Sequence, residues 1–357
     1  MQTYQLWHQI YPRDLVPANN LADDLIAIGQ PEQAIEPAQA AVRLAPDNGF
    51  PYIVLAQALQ RTGRFREAKQ TYLEAVSRKI DGVNIHMIML HIAFAEHDEA
   101  EIKRQLEWAR GNPREGEILN TAAWMAFARG QVRSGHRLSA EAQDRALKNG
   151  LPEFAALAAL DAAQLDGDLG RTAAARADVA RALRVAGDSR NVQAFAALAL
   201  ARVGDVQRAR RLADAVSRSA PADTIMQRVV LPTVRALADL HQHAAADAIN
   251  ELQTVLPYDL NRALEMSSVY YRGEAYLADR RFPDAASEFR KLIAHSVVRP
   301  DSMYVPLAEL GLGRVLRLSG DPAGSRTAYE SFFSAWKDAD AGVPILRAAK
   351  AEYARLR

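Results

Sequence analysis

Hydrophobic and small residues recur along this chain every three or four positions, which is the spacing of an α-helix that buries one face. No stretch shows the sustained alternation of polar and apolar residues that marks a half-buried strand. Glycine and proline fall mostly between the apolar runs, where they end one helix and begin the next. The pattern therefore predicts an all-α protein built from short helices.

Near the start of the chain the apolar pattern is repeated after 34 residues. Seven positions of the first copy recur in kind in the second: Leu21, Ala22, Leu25, Gly29, Ala34, Ala41 and Val42 become Leu55, Ala56, Leu59, Gly63, Ala68, Ala75 and Val76. A fixed period of this length is typical of a solenoid in which each repeat is one helical hairpin. We expect the glycine of each copy to lie in the turn of its hairpin, since glycine adopts positive φ without strain.

Weaker copies of the pattern continue along the chain and predict about nine hairpins over residues 15–336. Residues 83–190 keep the spacing of the repeat, but fewer of their residues match its sequence pattern. We expect residues 1–14 to be the orphan second helix of a preceding repeat, and residues 337–357 to be a C-terminal capping segment. The insert from His295 to Tyr304 lengthens one connection. All of these segments belong to one predicted array.

A clear late copy runs from Tyr271 to Phe289, with Gly273, Tyr276 and Ala285 at the expected positions. This order of a small residue, a tyrosine, a turn, an alanine and an aromatic residue resembles the tetratricopeptide repeat (TPR) family. The resemblance covers about the whole chain. It implies a right-handed α-solenoid of stacked helical hairpins, the TPR superhelix, which binds a protein or peptide in a concave groove and has no catalytic role.

The chain begins in the middle of a repeat. Tyr4, Trp7 and Pro12 stand at second-helix positions, and Met1 leaves no room for the first helix of that repeat. We expect the native protein to be longer at its N-terminus. The alternative is that the first helix is an unusual cap, since terminal repeats are often atypical.

A second resemblance concerns the two ends of the sequence. The closing stretches Phe332–Asp340, Val343–Leu346 and Ala349–Tyr353, and the opening Trp7–Asn20, resemble the C-terminal TPR region of multidomain bacterial eukaryotic-type serine/threonine protein kinases. Related regions follow winged-helix DNA-binding domains in some regulators. The kinase motifs themselves, a Gly-rich loop, a His-Arg-Asp loop and Asp-Phe-Gly, are missing from the sequence, so we expect no kinase activity of this chain.

Composition narrows the classes of function further. The chain lacks cysteine, and a formal net charge of +1 gives no general attraction to nucleic acid. The longest apolar run is far too short for a membrane span. We therefore expect a soluble bacterial domain, either cytoplasmic or on the extracytoplasmic side of a membrane-anchored parent. His86, His91 and His97 do not share one helix face, so we expect no metal site and no cofactor.

In the TPR family the first helix of each hairpin lines the groove, and projection of those positions onto this chain gives the candidate partner-binding residues. They are Asn84, Met87, His91, Asn120, Trp124, Phe127, Tyr270, Glu274, Arg314 and Arg317, preceded by Asn19, Asp23, Gln57 and Arg61 in the first two repeats. Trp124 and Phe127 are candidate anchors, because large aromatic residues often dominate binding. The alternative is that both belong to the core. Arg314 and Arg317 are candidates to hold an acidic peptide.

These observations predict a non-catalytic scaffold that binds a protein or peptide and serves as the interaction module of a larger bacterial signalling protein. The alternative is a ligand-responsive sensor that regulates an attached serine/threonine kinase or winged-helix transcriptional regulator. A sensor should change its curvature or its stability when the ligand binds, whereas a passive scaffold need not. The sequence leaves the oligomeric state open.

Overall fold

The computed structural model describes residues 2–356, and within this range the chain forms twenty α-helices and no strand. Their bounds are α1 Gln2–Ile10, α2 Leu15–Ala27, α3 Pro31–Leu44, α4 Gly49–Arg61, α5 Phe65–Ser77, α6 Val83–Ala95, α7 Glu99–Ala109, α8 Glu115–Ala128, α9 Val132–Lys148, α10 Pro152–Asp168, α11 Thr172–Ala186, α12 Arg190–Arg202, α13 Val206–Ser219, α14 Leu231–His241, α15 Ala245–Gln253, α16 Ser267–Ala278, α17 Phe282–Ala294, α18 Tyr304–Leu318, α19 Pro322–Ala335 and α20 Pro344–Ala354. One turn of π-helix, Met226–Val230, leads into α14. The all-α prediction is confirmed.

Helices α2 to α19 pack in nine successive pairs within the described residues, α2 with α3 and so on to α18 with α19. A short turn joins the two helices of most pairs, so each pair is a helical hairpin of the kind that the 34-residue period predicts. The first helices of neighbouring hairpins are also in contact; for example, α2 contacts α4, and α10 contacts α12. The hairpins of α2–α7 therefore stack on one another, as do those of α8–α19, and within each set a repeat buries its apolar face against its neighbours.

The turns of the first two hairpins lie at the repeated glycines. Gly63 has φ of +74°, its N–H donates to Gln60 O at 3.0 Å, and the N–H of Arg64 donates to Leu59 O at 2.9 Å. This pair of bonds satisfies carbonyl groups that the end of α4 would leave unpaired, and it needs a left-handed residue between them. The turn position predicted from the repeat is confirmed.

Small residues in the repeat make room for large ones on the facing helix. Phe289 of α17 is fully buried between Gly273 of α16 and Gly311 of α18. A Cβ atom at either glycine would lie 2.6 Å from the phenylalanine ring. The ring therefore fits only because both facing helices lack a side chain at these positions.

The helices form two compact units. Unit 1 extends through Asn112 and includes two connecting segments from later in the chain, Leu260–Glu265 and His295–Asp301. Unit 2 contains Pro113–Asp259, Met266–Ala294 and the chain from Ser302 onward. Helices α1 to α7 thus belong to unit 1, and α8 to α20 belong to unit 2.

In unit 2 the last hairpin returns to the first. Trp336, at the end of α19, is 2% exposed, and its Nε1 donates to Ala128 O of α8 at 3.0 Å. The N–H of Asp340 donates to Gly130 O at 3.0 Å, and its carboxylate accepts from the N–H of Arg133 at 2.8 Å. The start of the predicted capping segment thus closes unit 2 on itself.

Candidate peptide-binding groove

The end of α4 presents two buried polar side chains in unit 1. Gln60 and Arg61 are 2% and 3% exposed. Arg61 Nη2 donates to the main-chain carbonyl of Leu260 at 2.8 Å, and Gln60 Nε2 donates to that of Val297 at 2.8 Å. Because every residue has a main-chain carbonyl, such bonds hold polypeptide independently of its side chains. Helix α4 thus binds the backbone of both connecting segments.

Charged side chains add selectivity to this contact. Arg61 Nη1 pairs with Glu265 at 3.2 Å, while Arg262 pairs with Asp23 of α2 at 2.7 Å and reaches Gln57 Oε1 at 3.4 Å. In the 260–265 segment, the basic Arg262 thus contacts the acidic Asp23, and the acidic Glu265, three positions later, contacts the basic Arg61. We call the surface of α2, α4 and α6 that carries these contacts the unit 1 groove; its residues are Asp23, Gln57, Gln60, Arg61 and His91.

The turn between α2 and α3 fits closely against the same segment. Gly29 has φ of +90°, and a Cβ atom there would lie 2.7 Å from the carbonyl carbon of Leu260. The N–H of Arg262 donates to Ala27 O at 3.2 Å. Gly29 therefore has two roles: it adopts the positive φ that the turn of its hairpin requires, and its lack of a side chain lets the backbone at Leu260 pack closely against the turn.

Helix α6 brings Asn84, Met87 and His91 to one face, since they are spaced by three and four residues. All three are half-buried. His91 Nε2 lies 3.8 Å from Asp301 Oδ2, and both of these buried atoms lack a hydrogen-bond partner in the described part of the chain. Burial lowers the pKa of His91, more than Asp301 raises it, so the imidazole is neutral at pH 7.

In unit 2 the two predicted aromatic anchors lie in different environments. Trp124 is half-buried, and its Nε1 donates to Asp161 Oδ2 at 3.2 Å, beside Asn120 Nδ2 at 2.9 Å. Phe127 is 2% exposed, and its ring packs on Gly135 of α9, where a Cβ atom would be 2.7 Å away. The expectation that Phe127 faces a groove is wrong, because a glycine on the facing helix leaves room for the ring inside the hairpin.

Tyr270 and Glu274 of α16 belong to a buried polar cluster. Tyr270 is 4% exposed, and its hydroxyl donates to Glu274 Oε1 at 3.2 Å. Glu274 pairs with Arg202 at 2.8 Å, and Arg202 Nε lies 2.5 Å from Asp168 Oδ1. Burial raises the pKa of Asp168 to about 6, although Arg202 acts in the opposite direction. Tyr270 is therefore a core residue, which corrects its predicted place in the groove, and the charge of Glu274 is compensated within the chain.

The same cluster fills the space between first helices of unit 2. The hydroxyl groups of Tyr271 and Tyr304 are 2.9 Å apart, and Gln164 Nε2 donates to them at 3.2 and 2.8 Å. These residues come from α16, α18 and α10, and all three are buried. These hydrogen bonds join first helices of three different hairpins in unit 2.

The two arginines of α18 differ in their availability. Arg314 Nε donates to Glu352 Oε2 at 2.9 Å and its Nη2 donates to Glu352 Oε1 at 3.0 Å, so the C-terminal helix α20 supplies a bidentate carboxylate. Arg317 is exposed. Of the two arginines predicted to hold an acidic peptide, Arg314 is therefore already paired with a carboxylate of the same chain.

Comparison with known proteins relates part of the chain to a protein family. Residues 51–79 match the tetratricopeptide repeat model. This stretch lies almost wholly within the hairpin α4–α5, which supplies Gln60 and Arg61 to the unit 1 groove. Together with the stacked hairpins, the match supports a tetratricopeptide repeat protein. No curated protein sequence matches the chain.

Solved structures of similar fold cover nearly the whole chain. The APC/C hetero-tetramer Cut9–Hcn1 has a TM-score of 0.50 at 12% identity, over 99% of this chain and 58% of that chain. A human IFIT1 dimer with PPP-AAAA has a TM-score of 0.50 at 15% identity, over 99% and 84%. A tetratricopeptide repeat protein from Parabacteroides merdae is 18% identical over 82% and 98%, with a TM-score of 0.34. At these identities the two likenesses with a TM-score of 0.50 show the fold alone.

The matched family is a repeat that is typical of non-catalytic scaffolds, and no catalytic family is indicated. No helix between residues 2 and 356 has the length and apolar character that crossing a membrane requires.

The sequence did not predict that the unit 1 groove holds segments of the same chain. Gln60 was not among the projected positions, and the 260–265 segment carries no repeat signal. One signal was present, since the insert from His295 to Tyr304 is longer than the usual connection between two helices. It contains Val297 and Asp301, which contact the groove.

Proposed function

We propose that this protein is a non-catalytic scaffold that binds a peptide segment of a partner protein in the unit 1 groove. The observation that carries the proposal is the pair of bonds from Arg61 and Gln60 to the main-chain carbonyls of Leu260 and Val297. First-helix side chains here bind irregular polypeptide, which is the task of a peptide-binding groove. The formal net charge of +1 favours a protein or peptide over a nucleic acid.

The chain's own segment indicates the chemistry of the partner. Arg262 and Glu265 are three residues apart and pair with Asp23 and Arg61 of the groove. A partner peptide with a basic residue followed by an acidic residue at this spacing would make the same two ion pairs after it displaces residues 260–265, because Arg61 is only 3% exposed while that segment is bound. The side chain of Asp23 is 42% exposed, so a partner has access to it.

A peptide library displayed on phage and selected on the full chain tests the proposal. We expect the selected peptides to carry the basic-then-acidic spacing and to compete with one another in fluorescence anisotropy. Asp23→Ala should weaken their binding up to about fivefold, because an ion pair as exposed as the one between Asp23 and Arg262 is worth roughly 0.2–1 kcal/mol.

Asp47→Ala is the matched control, since its carboxylate is 93% exposed and lies on a loop outside the groove. Its affinity for the selected peptides should equal that of the wild-type chain. Peptides without the charge pattern, or peptides that bind Asp23→Ala as tightly as wild type, would overturn the assignment of the groove.

The wider role that we propose is the interaction module of a larger bacterial signalling protein, attached to a serine/threonine kinase. It is supported by the sequence resemblance of the stretches Trp7–Asn20 and Phe332–Asp340 to the repeat regions of such kinases. An antibody raised to this chain and used on cell extract measures the size of the native product. A band well above 39.2 kDa that carries kinase activity is the expected result, and a band at 39.2 kDa would remove this part of the proposal.

A further inference from the structure

Three potential metal ligands come together in unit 2, on three successive helices. His136 of α9, Asp166 of α10 and Asp178 of α11 each offer one ligand atom, and these atoms lie within 4.8 Å of one another. Asp166 and Asp178 are buried, while the side chain of His136 is 27% exposed. The cluster is thus enclosed on the carboxylate side and reachable from solvent on the imidazole side.

One carboxylate oxygen in this cluster has no partner. Asp166 is fully buried, and its Oδ1 lies 3.0 Å from His136 Nε2 and accepts from Arg171 Nε at 2.8 Å. Its Oδ2 is buried and without a hydrogen-bond partner in the described part of the chain. An unsatisfied buried carboxylate oxygen is costly, so a native structure normally supplies it with a donor or a cation.

The third ligand is also held by an arginine. Asp178 Oδ1 accepts from Arg181 Nη2 at 2.6 Å. Arg171 and Arg181 each orient one carboxylate through a single oxygen, which is the part that outer-sphere residues take in metal sites.

We propose that His136, Asp166 and Asp178 bind a divalent transition-metal ion of the zinc type. An imidazole nitrogen with carboxylate oxygens is a donor set that suits such an ion. Zinc bonds of about 2.0–2.2 Å place tetrahedral ligands about 3.4 Å apart. The 3.0 Å between His136 Nε2 and Asp166 Oδ1 is close to this value, and ligand atoms up to 4.8 Å apart would approach one another by at most about 1.4 Å. Three protein ligands leave the fourth position to water.

The proposed ion would join α9, α10 and α11. In a stack of hairpins most contacts are between neighbours, and a metal that bridges two hairpins adds a bond that the apolar core does not supply. The bound ion should therefore stabilise the folded chain and raise its melting temperature.

The three residues are separated by 30 and 12 positions in the sequence, so they form no spacing motif. The expectation of no metal site was drawn from histidines that lie near one another in sequence. The folded hairpins instead combine a single histidine with two distant carboxylates.

Isothermal titration of the EDTA-treated, dialysed full chain with Zn²⁺ tests the proposal, and Co²⁺ gives an independent optical readout. We expect one ion per chain, a visible absorption band of four-coordinate Co²⁺, and a higher melting temperature with Zn²⁺. Metal-free wild-type chain that shows neither binding nor the Co²⁺ band would overturn it.

Two variants and a control locate the ion. His136→Ala and Asp178→Asn should each lower Zn²⁺ affinity at least about tenfold, as loss of a metal-site residue does. His243→Asn removes an exposed histidine at positive φ, where asparagine is tolerated, and should bind as wild type does. Circular dichroism checks that each variant folds. Binding that survives both cluster variants, or that is lost in His243→Asn, would place the ion elsewhere.

Discussion

The carboxyl group of Glu309 in α18 stands out among the single residues because its charge is uncompensated. Its Oε2 atom is buried without a hydrogen-bond partner in the described part of the chain. Burial raises the pKa of Glu309 from 4.5 to about 7. The folded chain therefore binds a proton that the unfolded chain has released between these two pH values.

Glu309→Gln removes this titration at nearly constant shape. We expect the variant to be more stable than wild type at pH 8, by on the order of 1–2 kcal/mol after allowance for the partial exposure of the group. The proton on wild-type Glu309 stabilises the folded chain fully below pH 4.5, and this contribution is lost as pH rises through about 7. The advantage of the variant should therefore disappear at low pH, in urea titrations between pH 4.5 and 8.

Glu36→Gln is the control for this prediction, since Glu36 is exposed on α3. It should change stability little and without a step near pH 7. The same gain for Glu309→Gln at pH 5 and at pH 8 would contradict the role of the ionised carboxylate.

At the scale of a single element, each hairpin depends on small residues where its helices cross. Ala68 of α5 is fully buried. We expect Ala68→Leu to destabilise the chain by about 1–3 kcal/mol, because the added atoms force the two helices apart. Thermal unfolding measures the effect, with Ala140→Leu on the exposed face of α9 as the control. An unchanged melting midpoint for Ala68→Leu would mean that the hairpin register is wrong.

Substitution of two turn glycines, Gly29 and Gly150, distinguishes the cost of an unfavourable backbone conformation from the cost of a steric clash. Gly29 and Gly150 both have positive φ, but only at Gly29 does another backbone lie within contact distance of a Cβ atom. We expect Gly150→Ala to cost about 1–2 kcal/mol for its backbone conformation alone. Gly29→Ala should cost about 2–4 kcal/mol, because it also displaces the 260–265 segment. Equal losses in urea unfolding would show that the segment does not pack on the turn.

At the scale of the whole molecule, unit 2 holds its last hairpin against its first. Trp336 is the main buried side chain of this contact, and it is 208 residues from Ala128, whose carbonyl it binds. We expect Trp336→Ala to destabilise the chain by about 3–5 kcal/mol. The amide of Asp340, which donates to Gly130 O, should also exchange its hydrogen faster.

Phe50→Ala provides the comparison, since it removes an aromatic ring that is 69% exposed. Its effect on stability and on exchange at Asp340 should be small. If Trp336→Ala behaved like Phe50→Ala, the closure of unit 2 would contribute nothing to its stability.

The sequence predicted the helices and their pairing because both follow from local periodicity. The repeat of Leu55, Ala56 and Gly63 after 34 residues gives the length of a hairpin and the place of its turn directly. These signals depend on neighbours in the chain, and the structure reproduces them.

The candidate site was predicted less well, because burial depends on distant partners. Phe127 is buried by Gly135 on the next helix, Tyr270 by a cluster drawn from several helices, and Arg314 is engaged by Glu352 of α20. The prediction used only the position of each residue within the first helix of its repeat, and that position does not reveal these distant partners. Asp23 and Arg61 contact a segment of the same chain in the unit 1 groove, and their binding of a partner stays a prediction.

The closure of unit 2 also limits how this repeat protein can evolve. A linear array tolerates the duplication or loss of a repeat, because the new ends meet the same neighbours as before. Here the bond between Trp336 and Ala128 requires a definite number of hairpins between them. Insertion or deletion of one repeat would displace the last hairpin from the first, so we infer that the repeat number of unit 2 is fixed.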